Sequence, residues 1–457
     1  MRNSLRKVLR KSLHPAVWQA TIGGFIAPAP WWKLDSLDPA DIIDAWTFDA
    51  DNGNELIGEV NGTTWQIAVG SPSIQPGQGF YFGGSGMAKC QLPDGLNTKD
   101  LSFVMQYDNS SRNGTLDAFL SWFDTETDYI IYTLQNSWDN QLVRWSAGGG
   151  NATTVEIPRS VLDSGIYGAS GEHFYYDGTY KDSTVPGDGG DIPSGKTFWL
   201  GALKLGNGNN TQFVKARIKK FMLVRRKLTD EEQWELYFRI KHGRSPQWYE
   251  VPGVEPDEVS AVWDFASATN MDRALKAVVG PDLKISADSP VHTGDGIVFD
   301  GNDGLQTTSD VVLTPGKATL IAKLKNVTAG SVWHSVAGFD VTTDAVLLQY
   351  RNGVGTAFYN GAGYDGTSDN YAINAPIPGD EWLAVSGGIL YRDGAAAPNT
   401  LTPKIQAENT FQFHVGHNGG DQFFRGTIQF VLLYNKELTA EQIAAIQNNA
   451  PTRDNHD

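Results

Sequence analysis

The chain has 457 residues, among them 50 glycines and 14 tryptophans, with charged residues at 19% and a formal net charge of −16. That composition supplies large cores and many turns and excludes a disordered chain, while the acidic balance repels phosphates and speaks against a nucleic-acid partner. A single cysteine, Cys90, excludes an internal disulfide framework, and no apolar run approaches the roughly 20 residues that would span a bilayer.

Residues 1–40 read as an arm apart from the rest. Arg2, Arg6, Lys7, Arg10 and Lys11 give an acidic protein a basic start. Leu5, Val8, Leu9 and Leu13 fall near helical spacing until Pro15 stops the run. An apolar, proline-broken stretch follows and ends in Trp31-Trp32. Gln19 and two glycines interrupt it, which argues against a secretory signal, and the helix is short for one lying on a lipid surface. The spacing predicts a docking arm, with a disordered leader as the alternative; Trp31 and Trp32 join the basic residues as its anchoring side chains.

Residues 41–243 form a first unit of short apolar or aromatic runs. Turn signals separate them at Asn61-Gly62, Asn113-Gly114, Asp177-Gly178 and Asn207-Gly208, pairs that tolerate the positive φ of tight hairpins. Leu101 to Gln106 alternates with period two, as a strand does. After the apolar run Ile218 to Val224, Thr229 is placed to N-cap a helix, Glu232 to complete the capping box and Gly243 to end it. Residues 244–258, spaced by Pro246, Pro252 and Pro256, read as a semi-stiff linker. A second unit spans 259–450, and 451–457 form a polar tail.

The second unit repeats the first. Trp46-Thr47-Phe48 matches Trp263-Asp264-Phe265, Gly79 to Phe82 matches Gly296 to Phe299, and Leu101 to Gln106 matches Ala318 to Lys323, all at one constant spacing. Further pairs drift by a few residues, as indels in loops allow: Asp177-Gly178 with Asp393-Gly394, and Leu200-Gly201 with Val415-Gly416. The apolar run Ile428 to Tyr434 precedes a second capping box at Thr439 and Gln442. An ordered series of this kind marks a duplication.

The Trp-x-Phe opening, the Phe299-Asp300-Gly301-Asn302-Asp303-Gly304-Leu305 turn and the closing block Gly426 to Ile443 resemble the laminin-G-like domains of the concanavalin A-like lectin/glucanase superfamily. The resemblance implies an all-β chain: two tandem concanavalin A-like jelly-roll sandwiches, each closed by a short C-terminal helix, plus an extended or helical N-terminal arm. The closing block departs from the family pattern at Gln429-Phe430 and Lys219-Lys220, where an acidic pair is usual. The arm, through Leu13-His14-Pro15-Ala16-Val17, is similar to leaders of bacteriophage virion proteins.

A glucanase on this fold needs acidic residues alternating along one strand. Glu126-Thr127-Asp128 begins such a pattern, but Ile130 stands where a third acid belongs, so a hairpin turn is the stronger reading. His414 and His417 suit packing better than zinc. Asp300, Asn302 and Asp303 offer hard oxygens that could hold calcium, against which stands a plain tight turn. Sugar contacts need aromatic faces beside amides or charges; the candidates are Trp138, Asn140 and Trp145 in the first unit and Tyr350, Arg351, Asn352 and Tyr359 in the second. A core or interface role competes for each of these. The reading as a whole is a non-enzymatic structural protein of a phage virion, capsid-decorating or tail-associated, requiring no cofactor unless calcium, held to other virion proteins by its arm, homo-oligomeric, and either decorating the particle surface or touching host-surface glycans. The alternative is a lectin whose main role is glycan attachment.

Overall fold

The computed structural model describes residues 29–451 apart from 49–54, 76, 98–99, 109–115, 126–127, 136–140, 147–151, 157–163, 172, 182–196, 205–209, 214, 315–316, 329–332, 340–346, 352–354, 360–370, 373–379, 401–408 and 420–421. Side chains of 55, 116–164, 202–213, 333, 347, 349–372, 397–409 and 411 also lie outside that description. The chain divides into two compact units, Met1–Pro246 and Gln247–Asp457.

Each unit is built on two large antiparallel sheets, with a small two-stranded sheet beside them among the described residues. In the first unit one sheet is centred on Ser102–Asp108 and the long strand Lys215–Val224, to which Ile42–Thr47 and Gly79–Gly83 also pair. The facing sheet runs from Ala152–Glu156 through Leu116–Thr125, Thr197–Leu200 and Met87–Gln91 to Thr64–Val69 and Glu55–Ile57. The second unit repeats this around Thr319–Lys325 and Arg425–Tyr434, with Gly304–Thr307, Phe413–Val415 and Trp333–Phe339 in its other sheet.

The closing strand shows how sequence sets the layers. Strict alternation would carry Ala216 and Ile218 to one face and Phe221 and Leu223 to the other. A bulge between Ile218 and Lys220 shifts the register by one and keeps all four in the core between the sheets. Met222 and Val224 then face outward, where helix α1 (Asp230–His242) covers them with Trp234, Tyr237 and Phe238. The second unit has the same bulge: Ile428, Val431 and Leu433 point inward, while Phe430, Leu432 and Tyr434 meet the last helix, α3 (Ala440–Asn449). A short helix α2, Met271–Ala274, lies between the two. Aromatic stacking fills both interiors, Trp46 on Phe221 at 5.5 Å and Trp263 on Phe413 at 5.3 Å.

Local chemistry follows the sequence closely at the predicted caps and turns. Both capping boxes form, and Gly243 takes the left-handed conformation that ends α1. Asp177-Gly178 and Asp393-Gly394 both adopt positive φ, and each aspartate accepts a backbone N–H from the strand before its hairpin, of Ile166 and Trp382 respectively.

Two boundaries differ from the expectation. Residues 247–258 are not a linker, because Tyr249, Val251 and Val254 are buried against Leu432 and Tyr434 of the second unit. The end of the expected arm behaves likewise: Leu34 and Leu37 are buried against Met222 and α1, with Trp31 and Trp32 packed beside them. Trp31 Nε1 donates to Thr47 Oγ1 (3.0 Å) and Trp32 Nε1 to Glu59 Oε2 (2.9 Å), so both indoles are fastened to their own unit. The two segments are copies of one element. Lys33 N donates to Pro30 O as Glu250 N does to Gln247 O, Leu37 to Leu34 as Val254 to Val251, and Asp41 to Asp38 as Glu258 to Glu255. Even the ion pair to the turn after the closing strand recurs, Asp41–Arg226 in one copy and Glu258–Lys436 in the other. The repeated unit therefore starts near Trp31 and Trp248, and Arg2, Arg6, Lys7, Arg10 and Lys11 lie outside the described residues.

Candidate functional site

The first unit carries a polar groove of about 780 Å³. Its floor is the outer face of one sheet, where Thr64 and Gln66 stand on one strand, Lys89 and Gln91 on the next, and Thr197 on a third. Alternation puts these side chains outward because Trp65, Ala88, Cys90 and Phe198 occupy the core between them. Asn61, Gly62 and Thr63 line one side, and Ala40 and Arg225 also line the groove.

The side lined by residues 61–63 is held by one buried carboxylate. Asp44 interrupts the otherwise apolar run Ile42-Ile43-Asp44-Ala45-Trp46 and is fully buried. Its Oδ1 accepts from Ala45 N and Val60 N, each at 2.9 Å, and its Oδ2 accepts from Thr63 N at 2.6 Å. Asn61 Nδ2 donates to the carbonyls of Ile42 and Ile43, and Trp46 Nε1 to that of Thr63. A buried charge is tolerable when hydrogen bonds replace water in this way. Gly58 is part of the same fit, since a Cβ there would lie 2.0 Å from Asp44 Cγ. The loop is thus set before any ligand arrives.

The second unit has no equivalent opening among its described residues, and the substitutions explain why. Ala261 replaces Asp44, and the loop is rebuilt around α2 and the Lys276–Asp282 ion pair. Gln306, at the position of Lys89, donates to Gln412, at the position of Thr197. Asn435, at the position of Arg225, accepts from Thr314 N. Groups that stand open in one copy are engaged in the other.

The residues singled out from sequence fall elsewhere. Trp138, Asn140 and Asn352 lie outside the described residues. Trp145 occurs in Gln141–Ser146, paired with Ile131 and Ala152. Tyr350 pairs with His334 and Thr356, Arg351 with Trp333 and Gly355, and Tyr359 with Leu347, which brings these three to neighbouring strands of the second unit. Glu126 lies outside the described residues, between strands that pair antiparallel with Thr125 opposite Asp128.

Asp300, Asn302 and Asp303 form a tight turn. Asp303 Oδ2 accepts from Asp300 N (2.7 Å), and Asp300 Oδ1 from Asn302 N (3.0 Å). Burial pushes the Asp303 carboxyl above its ordinary range. Carboxylates turned onto their own backbone make a poor calcium cage, and among the described residues no group of three or more His, Cys, Asp or Glu side chains could hold a metal. His414 Nδ1 and His417 Nε2 lie 3.2 Å apart in the second unit. Gly419 N donates to His417 Nδ1, which leaves the proton on Nε2. Burial, then the neighbouring His414, lowers His417 to about 4, so it is a neutral packing group.

The fold is that of a lectin-like jelly roll, with no helix, among the described residues, long and apolar enough to cross a membrane. Residues 299–444 match the family model of the Concanavalin A-like lectin/glucanases superfamily, and the first unit repeats the fold of the second. None of the curated proteins matches the chain in sequence. Among solved structures, the chain is similar to domain 4 of AbnA, an extracellular arabinanase of Geobacillus stearothermophilus, in complex with arabinotriose (18% identity, 41% of this chain, 98% of that one, TM-score 0.33). Trypanosoma rangeli sialidase in complex with sialic acid shows 10% identity over 89% of this chain and 83% of its own, with a TM-score of 0.33. The binding domain of botulinum neurotoxin DC, in complex with rat synaptotagmin II, shows 11% identity over 90% and 98%, with a TM-score of 0.35. TM-scores this low leave the ligand to be argued from the groove itself.

Proposed function

We propose that this chain is a non-enzymatic attachment protein whose first unit binds a glycan in the Asp44-supported groove. The observation that carries the reading is that groove: a preformed concavity lined by amides, hydroxyls and two cations, the groups that pair with sugar hydroxyls. Among its described lining residues there is no carboxylate, whereas glycoside hydrolysis uses two. The second unit has the same fold with the opening closed, which suits a spacer. A glycan array probed with the full chain tests this. Binding that disappears in Gln66→Ala/Lys89→Ala supports the groove; binding that survives there and disappears in Trp138→Ala moves the site to the aromatic candidates.

The finer reading is a homo-oligomeric structural component of a phage virion, anchored by its first 28 residues. It is favoured because the repeated unit begins near Trp31, so the five basic residues before Leu13 belong to neither copy of the duplication. A basic segment on a chain of net charge −16 suits docking to another protein. Deleting residues 1–28 is expected to leave both units folded and abolish incorporation into particles; unchanged incorporation discards the anchoring role.

A further inference from the structure

We infer that the glycan is an acidic one, recognised through carboxylates on its sugar rings. This rests on the groove being the glycan site. The groove's charged lining residues are Lys89 and Arg225, both exposed. Among the described residues neither side chain has an acidic partner. Of the carboxylates on the neighbouring Asp38–Asp44 segment, Asp41 pairs with Arg226 (3.0 Å), Asp44 holds three backbone N–H groups, and Asp38 Oδ1 accepts from Ala40 N (2.8 Å). In a protein of net charge −16, two open cations over one polar floor are a local reversal of sign.

The general acidity does not cancel it. Charges beyond about 8 Å are largely screened at physiological salt, while a ligand carboxylate in the groove meets ammonium and guanidinium at contact. The second unit supplies the contrast. Its residues at the positions of Lys89 and Arg225 are Gln306 and Asn435, uncharged and engaged within the unit. The duplicated scaffold does not require cations there.

The test uses the full chain in calorimetric titrations with two matched pairs. Tetragalacturonate and its methyl ester differ in the uronate charge and the ester methyl groups; sialyllactose and lactose differ by the sialate. The inference expects one acidic member to bind about tenfold or more tighter than its neutral partner, a charge-assisted contact being worth that much. Lys89→Gln and Arg225→Gln, both surface changes that leave the core intact, should each weaken it by about tenfold, with the loss growing smaller as salt rises. Whichever pair responds identifies uronate or sialate as the carboxylate source. Equal binding of acidic and neutral members, or acidic binding indifferent to both substitutions, overturns the inference and leaves the groove as a neutral-glycan site. Absence of binding by all four overturns the groove reading as well.

Discussion

Replacing Glu381 by Gln should make the second unit acid-labile. Glu381 lies in strand Asp380–Ser386 with its side chain fully buried, and Arg392 Nε approaches its Oε2 to 2.7 Å. Burial pushes the carboxyl up from 4.5 to about 7, with Arg392 opposing only in part. Between those values the folded protein holds a proton that the unfolded chain has released. The stability this confers is complete below pH 4.5 and is lost as pH rises through about 7. His417 works in the other direction. Its folded value of about 4 lies below the ordinary 6.5, so its contribution is present above pH 6.5 and lost as pH falls toward 4.

Over the shared window, from pH 6.5 to 4.5, the two slopes cancel. Each is worth about 1.4 kcal/mol per pH unit, so removing the carboxylate uncovers roughly 3 kcal/mol of acid destabilisation. Gln keeps the volume and an acceptor for Arg392, which confines the change to titration. Urea unfolding followed by tryptophan fluorescence, wild type beside variant from neutral pH to 4.5, reads it as a midpoint that falls steeply only in Glu381→Gln. Parallel pH profiles for the two proteins would refute the reasoning.

Three further outcomes follow from the packing. Gly58→Ala drives a Cβ into Asp44 and should cost the first unit about 2–3 kcal/mol, read as a lower thermal midpoint together with weaker glycan binding. Asp44→Asn puts an amide N–H against backbone donors, so glycan binding should fall with little change in the second unit's unfolding; unchanged binding would separate the groove from its support. Trp31→Ala removes a half-buried indole and its bond to Thr47; it should destabilise the first unit by about 2 kcal/mol in denaturant, whereas a free docking arm would show no change.

The duplication and the sandwich could be read from the sequence because they rest on local rules. Capping boxes, Asp-Gly turns and alternating strands each need only a few neighbouring residues. The segments around Trp31 and Trp248 were harder to read, since a short extended piece held by single turns has no period and its prolines look like a linker. Their signal was available in the aligned pairs Trp31 with Trp248, Leu34 with Val251, and Pro39 with Pro256. The groove was missed for a different reason. Its lining comes from segments scattered between Ala40 and Arg225 and contains no exposed aromatic, so a search for aromatic platforms passes over it. Asp44 was the available clue, a carboxylate inside an apolar strand where the other copy has Ala261.

The most direct trial of the central claim is a crystal structure of the full chain soaked with an acidic oligosaccharide that binds in solution. A sugar lying on Gln66, Lys89 and Thr197, with residues 61–63 still held by Asp44, is the result expected. A sugar seated on the strands that carry Tyr350 and Tyr359, with the first unit's groove filled only by water, would contradict it.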